Sequence, residues 1–264
     1  MIALFAAHIL LGAISPAPVL PQDTLPRVYE AVPAPSSIVS DGDLSEAAWA
    51  TAPWTEDFLD IRGPGHPTPS LRTRIKILWD DEYLYIGAEL EEPHLWATLL
   101  ERDAILYRDD DFEVFLDPDG DGLDYFELEI NALGTEFDLF LDRPYNQGGR
   151  ADIDWDMVGL KTGVSLWGSL NDPSDEDRGW SVEVAIPWEA LAVPPPTPGV
   201  SWRVNFSRVD WPLEIVGDRY RKTAEPSREN RHPESNWVWS PQGAINMHIP
   251  ERWGVVRFVR TSGN

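Results

Sequence analysis

Carboxylates are the most abundant charged groups in this 264-residue chain. Asp and Glu number 45 against 21 Lys and Arg, a formal charge of −24. With so many acids some pair always falls at a glycosidase-like spacing, so a pair alone is no argument for hydrolysis. Order is more informative. Asp117, Asp119 and Asp121, then Gly122 and Asp124, match the first half of a calcium loop, where carboxylate oxygens surround a hard cation. An EF-hand closes its site with Glu at the twelfth position, which here is Leu128, so the loop is not an EF-hand. The residues allow either a structural calcium ion held by Asp117, Asp119, Asp121 and Asp124 or a metal-free acidic hairpin turn.

Thirteen tryptophans are the second chemical oddity. Flat aromatic faces stack on the C–H patches of sugar rings, while carboxylates, amides and Arg bond the hydroxyls. Sandwich cores also use Trp, and Trp49, Trp54, Trp79, Trp180, Trp188 and Trp202 are expected there. Trp211, Trp237, Trp239 and Trp253 lie near loops rich in Arg and Glu and are the candidates for a cleft.

Other chemistry is missing. The chain has no Cys, which excludes disulfides, thiolate catalysis and Cys-type metal sites. It lacks a Gly-x-Ser-x-Gly elbow, a dinucleotide fingerprint and a phosphate-cradling loop. Its five histidines form no i, i+4 pair for zinc. The acidity repels phosphate backbones, so nucleic acid is not an expected partner.

The elements that must position these groups read as strands. Residues 72–79, 111–116, 125–130, 180–186, 202–209 and 253–259 alternate polar and apolar side chains. Acidic and Gly-containing turns at 80–82, 117–122 and 133–135 separate them. Residues 45–49 suggest one short helix capped by Asp43 or Ser45, and 187–191 one helical turn begun by Pro187. The expected fold is all-β: an antiparallel two-sheet β-sandwich, immunoglobulin-like or jelly-roll-like, with short helical turns. Residues 1–14 are apolar but too short to span a bilayer, and small residues and prolines follow. Residues 1–20 therefore read as a secretory signal, placing the protein outside the cytoplasm, secreted or periplasmic. Prolines at 16, 18, 21, 26, 33 and 35 suggest an extended linker over 21–37, leaving 38–261 as a single module. No later segment is apolar for long enough to cross a membrane.

The order of motifs resembles a known family. Asp41-Gly42-Asp43-Leu44 with Trp49 comes first, then Leu78-Trp79-Asp80-Asp81-Glu82-Tyr83-Leu84-Tyr85-Ile86. Asp110-Asp111-Phe112-Glu113-Val114-Phe115-Leu116-Asp117 and Gly179-Trp180-Ser181-Val182-Glu183-Val184-Ala185-Ile186-Pro187-Trp188 follow. Trp202-Arg203-Val204-Asn205-Phe206 and a terminal Trp253-Gly254-Val255-Val256-Arg257-Phe258 close the set. Together they resemble the family 9 carbohydrate-binding modules of the wider DOMON-like superfamily.

The resemblance implies a secreted, calcium-stabilised sandwich that binds oligo- or polysaccharide, with chain ends the form taken by a ring clamp. Sugar-binding members clamp a ring between two Trp. The matching positions hold Tyr107, six residues before Glu113, and His248, six before Gly254. Asp110 and Glu113 fall on the family's Asp-x-x-Glu strand motif, and Glu127 falls near a ligand-contacting Arg. Arg208 is then the expected source of the missing cation.

The implied site is Tyr107, Asp110, Glu113, Glu127, Arg208, Trp211, Trp237, Trp239 and His248. Two other uses of the fold are weighed beside it. One is a haem-binding electron-transfer domain, for which Met157, Met247 and His248 are the available ligands. The other is a carbohydrate-active enzyme with Glu113 and Glu127 as acid and base.

Overall fold

The computed structural model describes residues 26–260. The expected signal over 1–20 lies outside them, as does the start of the expected linker. Strands dominate, and among the described residues there is no α-helix. Single 3-10 turns form at Trp49–Thr51, Leu106–Arg108, Tyr145–Gln147 and Pro250–Arg252. The helix expected over 45–49 is reduced to turns, with Asp43 Oδ1 accepting the Ser45 N–H at 3.0 Å. The segment after Pro187 is likewise a hydrogen-bonded turn.

The strand that opens the described chain corrects the linker. Residues 28–33, inside the stretch expected to be extended and free, form β1 (Val28–Pro33). Residues 28–31 pair in parallel with β15 (Gly254–Phe258), and Val32 and Pro33 pair in parallel with β3 (Thr73–Trp79). Pro33 sits at the strand's last position, where a missing N–H does least harm. β1 thereby joins two halves that sequence reading treats as separate antiparallel sheets.

One half contains β3, β4 (Tyr83–Glu91), β9 (Lys161–Leu166) and β10 (Gly179–Pro187). The other centres on β5 (Asp111–Asp117), β6 (Tyr125–Asn131), β7 (Glu136–Leu141) and β11 (Ser201–Asp210). The short strands β2 (Leu59–Asp60), β8 (Ala151–Asp152) and β14 (Ser235–Val238) extend this half. The result is one curled 13-stranded sheet rather than two independent sheets. A separate hairpin of β12 (Leu213–Val216) and β13 (Arg219–Lys222) makes a small second sheet.

The main core lies where the halves face each other. Ile75, Ile77, Ile86 and Val182 come from one half and Val114, Leu128 and Phe206 from the other, all nearly inaccessible. A second core, with Phe115, Tyr125, Leu139 and Trp253, covers the opposite face of β5–β7. Gly254 lets β15 lie against Trp239 of the main core, because a Cβ there would come within 2.2 Å of the Trp239 ring.

Candidate functional site

Period-two alternation builds the site from β5 and β6. Phe112, Val114 and Leu116, with Phe126, Leu128 and Ile130, point into the main core. The intervening residues Asp111, Glu113 and Phe115, with Glu127 and Glu129, therefore share the other face. Register brings them together: Glu113 pairs with Glu129 on one side and Ser207 of β11 on the other, while Phe115 pairs with Glu127.

Glu113, Phe115, Glu127 and Glu129 form the floor of a cleft of about 760 Å³, with Asp111 buried next to Glu113 beneath it. Tyr107 stands over one side from its 3-10 turn, and its backbone N–H donates to Glu129 Oε2 at 3.0 Å. Tyr145 stands over another side from the turn after β7, and His248 is supplied by the loop before β15. Tyr107 and Tyr145 are 46% and 48% exposed, so each offers a face to a ligand. Ile105, Ile153 and the 226–234 loop complete the walls.

Burial controls the floor's electrostatics. Asp111, Glu113, Glu127 and Glu129 are all buried. Burial pushes Glu113 up to about 7. Burial, then the charge of Glu113, pushes Glu127 up to about 8. Asp111 and Glu129 are held well above the usual carboxylate range by burial and then by neighbouring acids. Among the described residues the only basic side chain at ion-pair distance from any of the four is His248, whose Nε2 lies 3.9 Å from Glu127 Oε2. Burial lowers His248 to about 4, so it is neutral at pH 7. A 2.9 Å hydrogen bond joins its Nδ1 to Tyr125 Oη, and the Tyr145 ring meets it edge-on at 4.6 Å.

The structure thus brings Tyr107, Glu113, Glu127, Trp211 and His248 to one cleft. Trp211 is mostly buried, its Nε1 donating to the Tyr107 carbonyl at 2.9 Å, with Lys222 Nζ 3.5 Å from its ring centre. It props Tyr107 and offers no open face. Asp110 lies behind the wall, its Oδ1 accepting the Trp211 N–H at 2.7 Å.

Four expected contacts are corrected. Arg208 shares the core-facing parity of Val204 and Phe206 and is 1% exposed. Its guanidinium is used by Glu92 at 2.5 Å, Asp210 at 2.8 Å and the Glu91 carbonyl at 2.7 Å. It is not the cleft's cation. Trp237 and Trp239 are buried in the main core and Trp253 in the second. Conversely Trp54, expected in the core, is half-buried beneath Arg74 and Lys76. Tyr145 went unpredicted because its loop carries no periodicity; its only signal was an aromatic residue beside Pro144 and Gly148.

Other expected ligand sets separate in a similar way. Met157 packs in the main core and Met247 in the second, so they do not meet with His248 around one haem iron. In the 117–124 turn, side-chain oxygens of Asp117, Asp119 and Asp121 lie within 4.8 Å of one another, a grouping that excludes Asp124. Asp117 Oδ1 and Oδ2 accept the N–H groups of Gly120 and Gly122, both at 2.9 Å. Carboxylate oxygens have further lone pairs, so these three residues fit part of an oxygen shell for calcium.

Comparison with known proteins sets this geometry in a family. The family described as carbohydrate family 9 binding domain-like matches residues 39–210. Exoglucanase XynX of Acetivibrio thermocellus is 28% identical over 118 residues, 45% of this chain and 9% of the relative. Endo-1,4-beta-xylanase A of Thermoanaerobacterium saccharolyticum is 28% identical over 116 residues, 44% of this chain and 8% of the relative. The matched stretch thus spans less than a tenth of either relative. A family 9 carbohydrate-binding module from Caldicellulosiruptor kristjanssonii, solved with cellotriose, superposes with a TM-score of 0.58 at 18% identity. That match covers 90% of this chain and 96% of the module. A protein of Bacteroides uniformis gives 0.63 at 17% identity over 88% of this chain and 99% of its own. These structural likenesses concern the fold, whereas the family match extends over most of the residues that form it. The chain belongs to the carbohydrate family 9 binding domain-like family.

Proposed function

We propose that this protein binds carbohydrate without transforming it, in the cleft above Glu113, Glu127 and Glu129. The observation that carries this reading is the pairing of two exposed tyrosines, Tyr107 and Tyr145, with a carboxylate floor in one cleft. Aromatic faces take the apolar side of a sugar ring and carboxylates take its hydroxyls. Tyr107 keeps the role expected of it. His248 is a support, and Tyr145 takes the outer aromatic position. The solved relative with cellotriose makes β-linked glucose oligomers, and their chain ends, the first ligands to try.

Two accompanying features belong to the same reading. The 117–124 turn holds a structural calcium ion through Asp117, Asp119 and Asp121, and that ion ties the β5–β6 hairpin. The N-terminal residues export the protein, in keeping with a polysaccharide ligand. Among the described residues no helix is long and apolar enough to cross a membrane.

Titration calorimetry against a panel of mono- and oligosaccharides tests the function. The expected result is one saturable site whose affinity falls about threefold to tenfold in Tyr107→Ala, the size of a single aromatic stacking contact. Absence of heat with every sugar contradicts it.

A further inference from the structure

We propose that the floor of the cleft is itself a binding site for a hard divalent cation of the calcium class, held by Asp111, Glu113 and Glu129. This site is separate from the 117–124 turn and does not depend on the carbohydrate reading. One side-chain oxygen from each of the three residues lies within 4.8 Å of the others. Oxygens bound to one calcium ion at about 2.3–2.6 Å can be no more than about 5 Å apart, so the three already occupy positions around a common centre. Register explains the grouping. Glu113 and Glu129 are cross-strand partners, and Asp111 precedes Glu113 by two residues on the same face of β5.

The second observation concerns what these groups lack. Asp111 is fully buried, and its Oδ2 accepts no hydrogen bond. Glu127 Oε2, at the edge of the group, has only the neutral His248 ring within ion-pair reach, at 3.9 Å. Buried polar atoms are almost always bonded, and buried charges are paired or bind metal. Neither Lys nor Arg among the described residues forms an ion pair with these carboxylates, and Arg208, the cation expected for the site, is consumed on the other face of β11. An ion placed here satisfies Asp111 Oδ2, balances the carboxylates and leaves positions open toward the cleft, where water completes its shell. The donors are all oxygen, which selects calcium, magnesium or manganese over zinc or copper.

Calcium titration of chelator-treated protein in the absence of sugar tests the proposal. The Asp119→Asn/Asp121→Asn double variant disables the turn. It is expected to retain one calcium site, which weakens at least tenfold when Glu129→Gln or Asp111→Asn is added. Circular dichroism checks that each variant is folded. The double variant also avoids any need to alter the floor: added manganese should broaden the amide NMR signals of Tyr107, Glu113 and Ser207 before others. Calcium binding lost entirely in the Asp119→Asn/Asp121→Asn variant overturns the proposal, and so does manganese broadening that spares the floor. In either case the acids carry protons instead of a cation.

Discussion

Tyr107 and Tyr145 show how a single side chain acquires a role from its supports. Tyr107 is fixed at its backbone by Glu129 and Trp211, leaving its ring free. Substituting Trp211 by Phe removes the Nε1 bond at 2.9 Å while keeping an aromatic ring. The expected result is a loss of sugar affinity of about threefold to tenfold with little change in melting temperature, because the deleted bond contributes about 1 kcal/mol and acts on placement of the ring. Equal affinity in the two proteins contradicts that positioning role. His248 behaves differently. Its folded value of about 4 lies below the ordinary 6.5, so the unfolded chain binds the proton more readily. Stability from the neutral ring is complete above pH 6.5 and is lost as pH falls toward 4. Against a His248→Gln variant, wild type should lose on the order of 2 kcal/mol more between pH 7 and pH 4, measured by urea denaturation at each pH. Parallel pH curves for the two proteins would show that the ring is not buried in its neutral form.

At the scale of elements, the alternating pattern was the legible part. Every strand read from alternation over 72–79, 111–116, 125–130, 180–186, 202–209 and 253–259 is present with nearly the same limits. The face assignments of Glu113 and Glu127 were also contained in that pattern. Arg208 could have been rejected by the same argument, since it follows Val204 and Phe206 by even steps and must point inward with them. β1 was illegible for a physical reason: its prolines suggested a free linker, while its pairings are parallel and one of them reaches residues more than 200 positions away. Tyr145 sits on a single 3-10 turn, where no period exists to read. Two substitutions test how elements hold the site. Gly254→Ala drives a methyl group into the Trp239 ring and should destabilise the fold by about 1–3 kcal/mol in denaturant titration, whereas an unchanged midpoint denies the close approach of β15 and Trp239. Asp117→Ala strips acceptors from the N–H groups of Gly120 and Gly122 and should cost about 2 kcal/mol by the same method.

The whole molecule combines a continuous curled sheet with a charge of −24. Curling encloses the main core, and on the far face of β5–β7 the second core leaves room for the cleft beside it. The composition argues against nucleic acid as a partner, but could not say which of 45 acids would be buried together, because that depends on cross-strand register. Self-repulsion at this charge opposes compactness, and salt screens it. Raising sodium chloride from low to moderate concentration should therefore raise the melting temperature by a few degrees. A flat or falling response indicates that the acids are already neutralised.

The most direct measurement is a crystal structure of the full chain soaked with cellotriose. A sugar ring should lie against Tyr107 or Tyr145 with hydroxyls toward Glu113, Glu127 or Glu129. Electron density for the sugar on another surface, or a cleft left free of sugar at saturating concentration, contradicts the assignment.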